Sequence, residues 1–580
     1  MILILGGTTE GRNAAQTLEQ AGTPYFYSTK TGEQELDLRH GACISGALDQ
    51  AAMQQFCLEH KICLLVDAAH PFAAHLHATV AAVAAALQLP AIRYERLFPH
   101  RDQDVDWVDD IADIALKDGE RLVLSTLGVK SISRLMPLQG PARRLLFRIL
   151  PRESSIRLAQ AQGASLDDLC FYSSGQDELQ ELQRLRPDVL LLKESGISGG
   201  FVEKVAAAKA LGIRVIALRR PPMPDAFHVV NGPRGLRRMV ERFLPDFFPL
   251  RSGLTTGTCA TAAAVAALCR QQTGAMPAQV PVRLPDGETI SVAVGYGHDF
   301  AFCIKDAGDD PDITNGAEIR AVVRESNRFE IHGGEGVGRF TLPGFDYPPG
   351  CPAINRGPRQ MLRDNIPGDY SITISVPNGD MLARRTFNPR LGIEGGISII
   401  GVSGIVMPYS DEAFIQSIRK CVEVARASGA ERLVLGSGAK SENALRSRYP
   451  ELPSQAFVQY GNFVGQTLQM AAEQKIKEVT LGVMLGKAVK LADGQLDTHS
   501  RRATFDRNFL RLLLTEAECD TTHADDITLV RELWQRLPPA QIEPFARTVV
   551  DHCYSHCQPL IPEANLTILL IDDDGRIVGS

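Results

Sequence analysis

Glycines, hydroxyl side chains and charged residues cluster in short strings along the chain. The first string, LILGGTTEGR, joins an apolar run to a helical stretch. Glycines at such a turn let the backbone approach a pyrophosphate, and the first helical N–H groups point at the phosphate. The spacing is not a strict G-x-G-x-x-G, so a plain tight turn is the alternative. The candidate cofactor contacts are Gly6, Gly7, Thr8, Thr9 and Glu10.

Further strings follow predicted strands, at the sheet edge where α/β proteins bind ligands. They are VDAAHPFA (66–73), RYER (93–96), STLG (125–128) and LLKESGISGG (191–200). His70 precedes a proline at a strand end, which favours a functional loop over a capping or core histidine. Ser28 and Lys30 follow the second strand in place of a ribose-binding acid, which favours the 2′-phosphate of NADPH.

Four longer strings occur in the second half of the chain. They are RSGLTTGTCATAAA (251–264), KDAGDDPD (305–312), NPRLGIEGGISIIGVSGIVMPYS (388–410) and GKAVKLADGQLDTHS (486–500). Thr255, Thr256 and Thr258 precede a helix whose N-terminus attracts an anion, although capping alone explains them. The aspartates after Lys305 suit a hard cation, a plain turn or a base.

A cluster of soft ligands lies near the C-terminus. It consists of His552, Cys553, His556 and Cys557, which lie on one face of a predicted helix. These residues suit zinc, or the cysteines are buried thiols of a core helix. The sequence leaves both interpretations open.

Alternating strands and helices must position these strings. Near-continuous apolar runs separated by helices predict parallel sheets covered on both faces. The predicted strands of the first half are 2–5, 25–28, 62–66, 91–94, 122–125, 145–150, 169–172, 189–192 and 215–218. Those of the second half are 290–294, 371–376, 397–400, 433–435, 479–481 and 566–571, with helices from Asp411 and through 465–474.

These elements predict an α/β and α+β protein with four domains. Residues 1–112 and 113–245 form two Rossmann-like halves that face each other across a cleft, and the acidic segment 102–110 crosses between them. Residues 246–395 form an α+β subdomain. Residues 396–580 form a Rossmann-like α/β subdomain with a C-terminal extension. The boundary near 245–253 follows from two prolines in PDFFPLRSG.

Composition excludes some classes of function. The chain has 580 residues and a net charge of −7, which argues against nucleic acid as its main partner. No basic region precedes the apolar N-terminus, and the alanine-rich stretches are too short to cross a bilayer. We therefore expect a cytoplasmic protein with free thiols and no membrane partner.

The five N-terminal strings, in this order, resemble the precorrin-6A reductase family from residue 1 to about 245. The resemblance implies hydride transfer from NADH or NADPH to a polycarboxylate tetrapyrrole, with a nearby proton donor. It implies Lys193 and Glu194 as catalytic residues and Arg93, Arg96, Arg148 and Arg152 as carboxylate ligands. The further candidates are Ser28, Lys30, Thr126 and Gly128 for the cofactor and Asp67, His70, Ser195 and Gly196 for the substrate.

TTGTCAT, the GGIS block and LDTHS resemble the cobalt-precorrin-5B C(1)-methyltransferase family, from about residue 251 onwards. The resemblance implies methyl transfer from S-adenosylmethionine to a ring carbon, with Asp306 and His499 as base candidates. Gly395, Gly396, Ser398, Gly401 and Gly404 would contact this cofactor, and strand-to-helix packing is the alternative. Substrate carboxylates would meet Thr255, Thr256, Thr258, Arg384, Arg385, Arg390, Lys487 and Lys490.

The two resemblances imply a bifunctional enzyme of corrin (cobalamin) biosynthesis, because the methylated product is the substrate of the reductase. Cobalt is expected inside the substrate and no metal is expected on the protein. The alternative is one active half and one tetrapyrrole-binding or scaffolding module. The resemblances leave open a homo-oligomer, transient contacts with neighbouring pathway enzymes, channelling of the intermediate and the choice between NADH and NADPH.

Overall fold

The computed structural model describes residues 1–580 except 31, 33, 35, 174, 176 and 500–503, so Ser500 of the LDTHS string lies outside the described residues. The chain divides into two compact units. Unit 1 consists of Met1–Ser252 and Arg283–Ser291. Unit 2 consists of Gly253–Val282 and Val292–Ser580. The domain bounds given above stay predictions.

Unit 1 alternates strands and helices along its first 252 residues. The strands are β1 (Ile2–Leu5), β2 (Tyr25–Thr29), β3 (Gly41–Ser45), β4 (Leu64–Asp67), β5 (Ala91–Tyr94), β6 (Asp106–Val108), β7 (Leu122–Ser125), β8 (Arg144–Ile149), β9 (Leu169–Phe171), β10 (Val189–Lys193), β11 (Arg214–Leu218) and β12 (His228–Val230). The helices are α1 (Thr9–Glu19), α2 (Gln50–Glu59), α3 (Ala74–Leu87), α4 (Ile132–Leu135), α5 (Glu153–Ala161), α6 (Glu178–Leu185), α7 (Phe201–Ala210) and α8 (Pro233–Phe243).

Two six-stranded parallel sheets form this unit, as the apolar runs predict. Their orders are β12-β5-β4-β1-β2-β3 and β6-β11-β10-β7-β8-β9. Central strands such as β1 and β4 are buried along their whole length, because helices cover both faces. Three strands were not predicted: β3, β6 and β12. All three are sheet edges with partly exposed residues, so they lack a continuous apolar run.

The sheet assignment differs from a division of the chain at residue 112. The acidic segment 102–110 contributes β6 to the second sheet, where β6 pairs with β11. The later strand β12 returns to the first sheet and pairs with β5. The chain therefore crosses between the sheets twice.

Unit 2 holds most of the remaining elements. From residue 253 the strands are β13 (Gly253–Leu254), β14 (Gln279–Arg283), β15 (Thr289–Ala293), β16 (Gly295–Tyr296), β17 (Ala301–Ile304), β18 (Glu318–Glu325), β19 (Glu330–Gly333), β20 (Arg339–Phe340), β21 (Tyr370–Ser375), β22 (Ile393–Glu394), β23 (Ile405–Val406), β24 (Arg432–Gly436), β25 (Phe457–Gln459), β26 (Glu478–Met484), β27 (Asn565–Ile571) and β28 (Ile577–Gly579). The helices are α9 (Thr256–Thr273), α10 (Arg356–Asn365), α11 (Gly379–Ala383), α12 (Asp411–Ala427), α13 (Ala439–Arg448), α14 (Val464–Glu473), α15 (Leu485–Ala492), α16 (Arg507–Glu516), α17 (Leu533–Arg536) and α18 (Pro539–Cys557).

Two sheets organise this unit. The first has the order β16-β17-β18-β21-β19, and the largely buried, alanine-rich helix α9 packs on it. The second has the order β25-β24-β26-β27-β28 and is parallel except for β28. Its hydrophobic core joins β24, β26 and β27 to α12, α15 and α18. Among the described residues, no helix is long and apolar enough to cross a membrane.

The predicted strand at 397–400 is wrong. Ile397 and Ile399 form only isolated bridges, to Val337 and Ile354 respectively. Successive residues with inward-facing side chains therefore pair with two different segments, and no continuous ladder forms.

Candidate functional site

The carboxyl ends of the two unit 1 sheets are joined by a polar cluster. Arg96 Nε lies 3.0 Å from Glu10 Oε2, and Arg96 Nη1 donates to Ser195 O at 2.8 Å. Ser198 Oγ donates to the other oxygen of Glu10. The GGTTEG, RYER and ESGISGG strings therefore meet at one place, where the loops after β1, β5 and β10 converge.

Lys193 is a largely buried cation beside this cluster. It ends β10, and its Nζ lies 5.1 Å from the centre of the Phe72 ring, on the loop after β4. Within the described part of the chain, no ion pair to Lys193 occurs. Burial, aided by the charge of Lys130, lowers the pKa of Lys193. An unpaired lysine with a lowered pKa can attract an anion and release a proton.

His70 lies close enough to Lys193 for their charges to interact. Burial and the charges of Arg96 and Lys193 lower the pKa of His70 to about 4, so the imidazole is neutral at pH 7. Its Nδ1 accepts from Phe72 N at 3.1 Å, which places the ring proton on Nε2. His70 is therefore a fixed hydrogen-bond donor and not a cation.

The glycine turn after β1 is shaped by packing and leaves part of its surface open. A Cβ atom on Gly6 would lie 2.2 Å from the Tyr27 ring, so glycine is required there. Thr8 Oγ1 caps α1 by accepting from Gly11 N and also donates to Ala68 O. Gly7, with φ at +93°, and Thr9 remain exposed. Of the two predicted threonine donors, only Thr9 is accessible.

Asp67 and Arg93 do not line an open site, contrary to the expectation of substrate contact. Both side chains are fully buried, and Arg93 Nη1 donates to Asp67 Oδ1 at 2.9 Å. His77 Nδ1 lies 2.5 Å from Asp67 Oδ2, and Glu95 holds the rest of the Arg93 guanidinium. Buried charges of this kind need these partners, so the pair stabilises the loop after β4.

Arg148 and Glu194 are also held in ion pairs. The buried Arg148 donates to Glu178 Oε2 at 2.6 Å. Glu194 receives two hydrogen bonds from Arg101 and one from Arg220 N. Burial raises the pKa of Glu194, but these bonds and the two guanidinium charges outweigh burial and lower it. An ionised Glu194 is a poor proton donor, which differs from the role expected of it.

The other N-terminal candidates lie on the same loops. Thr126 donates through both N and Oγ1 to Leu191 O. Gly128 has a φ of +88°, and a Cβ atom added to it would lie 3.8 Å from Lys193 Nζ. Ser28 is buried and Lys30 is exposed. Gly196, with φ at +74°, packs against Arg96, while Arg152 is exposed at the start of α5.

In unit 2 the TTGT and GGIS strings bind each other. Thr256 Oγ1 accepts from Ile400 N at 2.8 Å, and Thr258 Oγ1 donates to Gly404 O at 2.6 Å. Gly257 N, in the first turn of α9, donates to Ile400 O at 2.9 Å. All three threonine side chains of the string are buried, and Thr255 caps the helix by accepting from Thr258 N. The predicted anion site at this helix is therefore filled by the chain's own carbonyl groups.

The glycines of the GGIS string divide into two kinds. Cβ atoms on Gly396 and Gly401 would lie 2.1 Å from Gly336 O and 2.4 Å from Thr255 Oγ1, so close packing explains both. Gly395 is exposed, with φ at +80° and no atom within 4 Å of an added Cβ. Ser398 Oγ donates to Asn388 Oδ1. Among the predicted glycines, Gly395 is the most accessible.

The aspartate string forms an ion pair with a buried lysine. Lys305 is 1% exposed, and its Nζ lies 2.6 Å from Asp312 Oδ2. Asp306 is exposed, and its backbone oxygen accepts from Leu254 N. Among the described residues, no group of three or more His, Cys, Asp or Glu side chains could hold a metal ion.

A second glycine turn, which the sequence analysis missed, follows β24. The chain moves from β24 to β25 on one side and from β26 to β27 on the other, so the crevice between the ends of β24 and β26 is a topological switch point. Gly436–Ser437–Gly438 and Gly486 border this crevice, and added Cβ atoms on Gly438 and Gly486 would meet no atom within 4 Å. The string LVLGSG, a predicted strand followed by G-x-G, was a signal for it.

Lys487 belongs to this crevice. Burial and the nearby charge of Lys490 lower the pKa of Lys487 to about 8, and its Nζ donates to Gly461 O. Lys490 Nζ donates to Thr498 O, and Thr498 N donates to Asn462 O. The GKAVK and LDTHS strings therefore meet the loop after β25, and His499 follows directly, with its N bonded to Asp497 Oδ1.

The three arginines predicted to bind substrate carboxylates in the second half of the chain have different surroundings. Arg390 pairs with the buried Glu442 at 2.7 Å. Arg384 and Arg385 follow α11, next to the exposed Phe387.

The C-terminal thiols of the predicted zinc cluster are core residues, since Cys553 and Cys557 are fully buried. His552 of the same cluster forms an ion pair with Glu516. Burial raises the pKa of Cys557 to about 12, which disfavours the thiolate that zinc would need.

Comparison with known proteins follows the same division of the chain. Residues 1–238 match the family model described as precorrin-6x reductase CbiJ/CobK. Residues 245–408 match CbiD, and residues 497–580 match the CbiD C-terminal domain. The cobalt-precorrin-5B C(1)-methyltransferase of Prosthecochloris aestuarii is 42% identical over 57% of this chain and 96% of its own length.

The chain belongs to the cobalt-precorrin-5B C(1)-methyltransferase family and, over its first 238 residues, to the precorrin-6x reductase family. It therefore joins a methyltransferase to an oxidoreductase in cobalamin biosynthesis. A solved CobK precorrin-6A reductase is 23% identical, over 42% of this chain and 97% of that one, with a TM-score of 0.35. A solved CbiD from Archaeoglobus fulgidus is 28% identical, over 44% and 83%, with a TM-score of 0.26.

Proposed function

We propose that the chain catalyses two consecutive steps. The second half methylates C1 of cobalt-precorrin-5B with S-adenosylmethionine, giving cobalt-precorrin-6A. The first half then reduces (cobalt-)precorrin-6A to the 6B form with NADH or NADPH. The observation that carries the proposal is that each family region has its own glycine turn at a parallel-sheet edge, with a partly buried lysine of lowered pKa beside it.

In the reductase, reduced nicotinamide supplies a hydride and the protein must supply a proton. Lys193 is the donor that the geometry favours, because it is unpaired by carboxylates in the described residues and its pKa is lowered. The Nε2–H of His70 orients a polar group of the substrate. Gly7 and Thr9 hold the dinucleotide at the exposed turn. Arg96 and Glu10 keep the loops in register.

In the methyltransferase, S-adenosylmethionine supplies a methyl group to an electron-rich ring carbon. The turn at 436–438 and Gly486 leave room for the cofactor, and Lys487 binds its carboxylate. His499, next to the lysines, and Asp306 stay candidates for the base. Gly395 offers accessible backbone beside the TTGT–GGIS junction.

The test is an anaerobic reaction of the full chain with cobalt-precorrin-5B and S-adenosylmethionine, read by product mass. A gain of one methylene without nicotinamide, then of two hydrogens when NADH or NADPH is added, is the expected result. Methylation that is never followed by reduction would leave the first half as a tetrapyrrole-binding module. Absence of the methylene gain would refute the assignment of the second half.

A further inference from the structure

An open cavity of about 550 Å³ lies against α10 in unit 2. Arg356, Arg359 and Arg363 line it from the helix, and Phe329, Ile331 and Tyr347 provide its apolar wall. Spacings of three and four residues place the three arginines on one helix face. This concentration of positive charge contrasts with the net charge of −7 of the whole chain.

Two of these guanidinium groups lie over aromatic rings. Arg359 lies 4.3 Å from the centre of the Tyr347 ring, and Arg363 lies 4.2 Å from that of Phe329. A stacked guanidinium keeps its N–H edge available for a carboxylate. In the part of the chain that the structure describes, none of the three arginines forms an ion pair with a carboxylate. Arg359 donates from Nε and Nη2 to the backbone oxygens of Ile354 and Pro352, so Arg356 and Arg363 are the main anion ligands that the cavity offers, and Asp346 is a carboxylate in the same lining.

The cavity is adjacent to the GGIS string. Asn355 N, at the start of α10, donates to Ile399 O at 3.0 Å. An added Cβ on Gly357 would lie 2.5 Å from Gly401 O. Helix α10 thus begins directly on the loop that the TTGT threonines hold, and Arg356 lies between that loop and the cavity.

We propose that this cavity binds the tetrapyrrole substrate of the methyltransferase, with the arginines on its carboxylates and the apolar wall against the ring. The inference rests on the proposed function, because it names the substrate site of that reaction. The N–H edge of a guanidinium can form two parallel hydrogen bonds with one carboxylate. A ligand with a flat apolar body and several carboxylates therefore contacts both the arginines and the apolar wall of the cavity. Asp346, also in the lining, opposes the binding of such an anion.

The first experiment titrates the full chain with uroporphyrin, a fluorescent octacarboxylate macrocycle. Arg356→Gln with Arg363→Gln should weaken binding at one class of sites by roughly 2–30-fold, from about 1.4–5-fold for each exposed charge pair. Asp346→Asn should tighten it. The matched control is Arg419→Gln, which removes an α12 arginine paired with Glu473 and should leave binding unchanged.

The second experiment measures KM values in the methylation reaction without nicotinamide. The double variant should raise KM for cobalt-precorrin-5B and leave KM for S-adenosylmethionine unchanged. Unchanged porphyrin affinity in the double variant, or no porphyrin binding by the unaltered chain, would overturn the cavity assignment. S-Adenosylmethionine binding by calorimetry tests the proposed function separately, since the cavity variants leave the β24–β26 crevice intact.

Discussion

Replacing Asp67 by asparagine separates a structural role of the Asp67–Arg93 pair from a role in substrate binding. The substitution keeps the size of the side chain and removes its charge, so Arg93 stays fully buried and Glu95 is the carboxylate that still faces it. Breaking a buried pair costs about 3–5 kcal/mol. Because Glu95 still faces the guanidinium, we expect the lower end, about 3 kcal/mol.

The magnitude can be read as a melting temperature. For a unit of this size, each kcal/mol shifts Tm by about 2–4 °C, so unit 1 should melt about 6–12 °C lower. Trp107 lies in unit 1 and Trp534 in unit 2, and the chain has two tryptophans. In a Trp534→Phe background, tryptophan fluorescence therefore reports the unfolding of unit 1 alone.

The pH dependence gives an independent check. Burial raises the pKa of Asp67, but the His77 hydrogen bond and the Arg93 charge outweigh burial and lower it. A carboxylate whose folded pKa is below the unfolded value of about 3.9 adds stability above that pH, and this stability is lost as the pH falls through the folded pKa. Asp67→Asn should therefore reduce the loss of unfolding free energy on going to acid pH, which we call the acid limb.

Glu153→Gln is the matched control, because Glu153 and its partner Arg157 are 79% and 75% exposed and such pairs contribute little. A Tm for Asp67→Asn within about 2 °C of this control, with an unchanged acid limb, would refute the structural role. A raised substrate KM at unchanged Tm would restore the role in substrate binding.

Two further predictions concern the lysines. Lys193→Arg keeps the positive charge but holds its proton, so it should slow reduction by about 10²–10⁴-fold and leave methylation intact. It should also remove the fall in rate at high pH that a lysine donor with a lowered pKa gives. Stopped-flow measurement of nicotinamide oxidation from pH 6 to 10 tests this, and an unchanged pH profile would contradict the role. The cation of Lys487, with a pKa of about 8, should bind S-adenosylmethionine progressively less well as pH rises through 8, while Lys487→Arg keeps its affinity; calorimetry at pH 7 and 9 decides, and equal affinities for the unaltered chain would exclude this lysine.

In unit 1 the sequence predicted every central strand of the two sheets and missed three of the four edge strands, for one physical reason. In unit 2 it also missed the central strand β18, whose buried residues alternate with partly exposed ones. A strand buried on both faces, such as β1 or β10, is a continuous apolar run. The edge strands β3 and β12 are largely exposed and short, so their composition resembles that of a loop. The 397–400 segment shows the reverse error, since its apolar residues are buried by bridges to two separate segments.

The candidate sites were predictable as loops more than as side chains. The N-terminal strings lie at strand ends, which bring His70 and the glycine turn to the carboxyl edge of the first sheet and Lys193 to that of the second. Whether a charged side chain there faces ligand or core depends on partners elsewhere in the sequence. Asp67 is buried because His77 and Arg93 are placed to meet it, and no local pattern around VDAAH contains that information.

Lys193 and Glu194 are adjacent in the sequence, yet the sequence did not reveal which of them is the better candidate for the proton donor. Successive residues at a strand end point in opposite directions, so adjacent residues of one string enter different surroundings. Lys193 points toward Phe72 and Gly128, and among the described residues the charge that acts on it is the like charge of Lys130, with the neutral His70 nearby. Glu194 points toward Arg101 and Arg220, which hold it ionised. The two were indistinguishable as proton donors in the sequence, and their geometry favours the lysine, because only an unpaired group can exchange its proton without leaving a buried counter-charge.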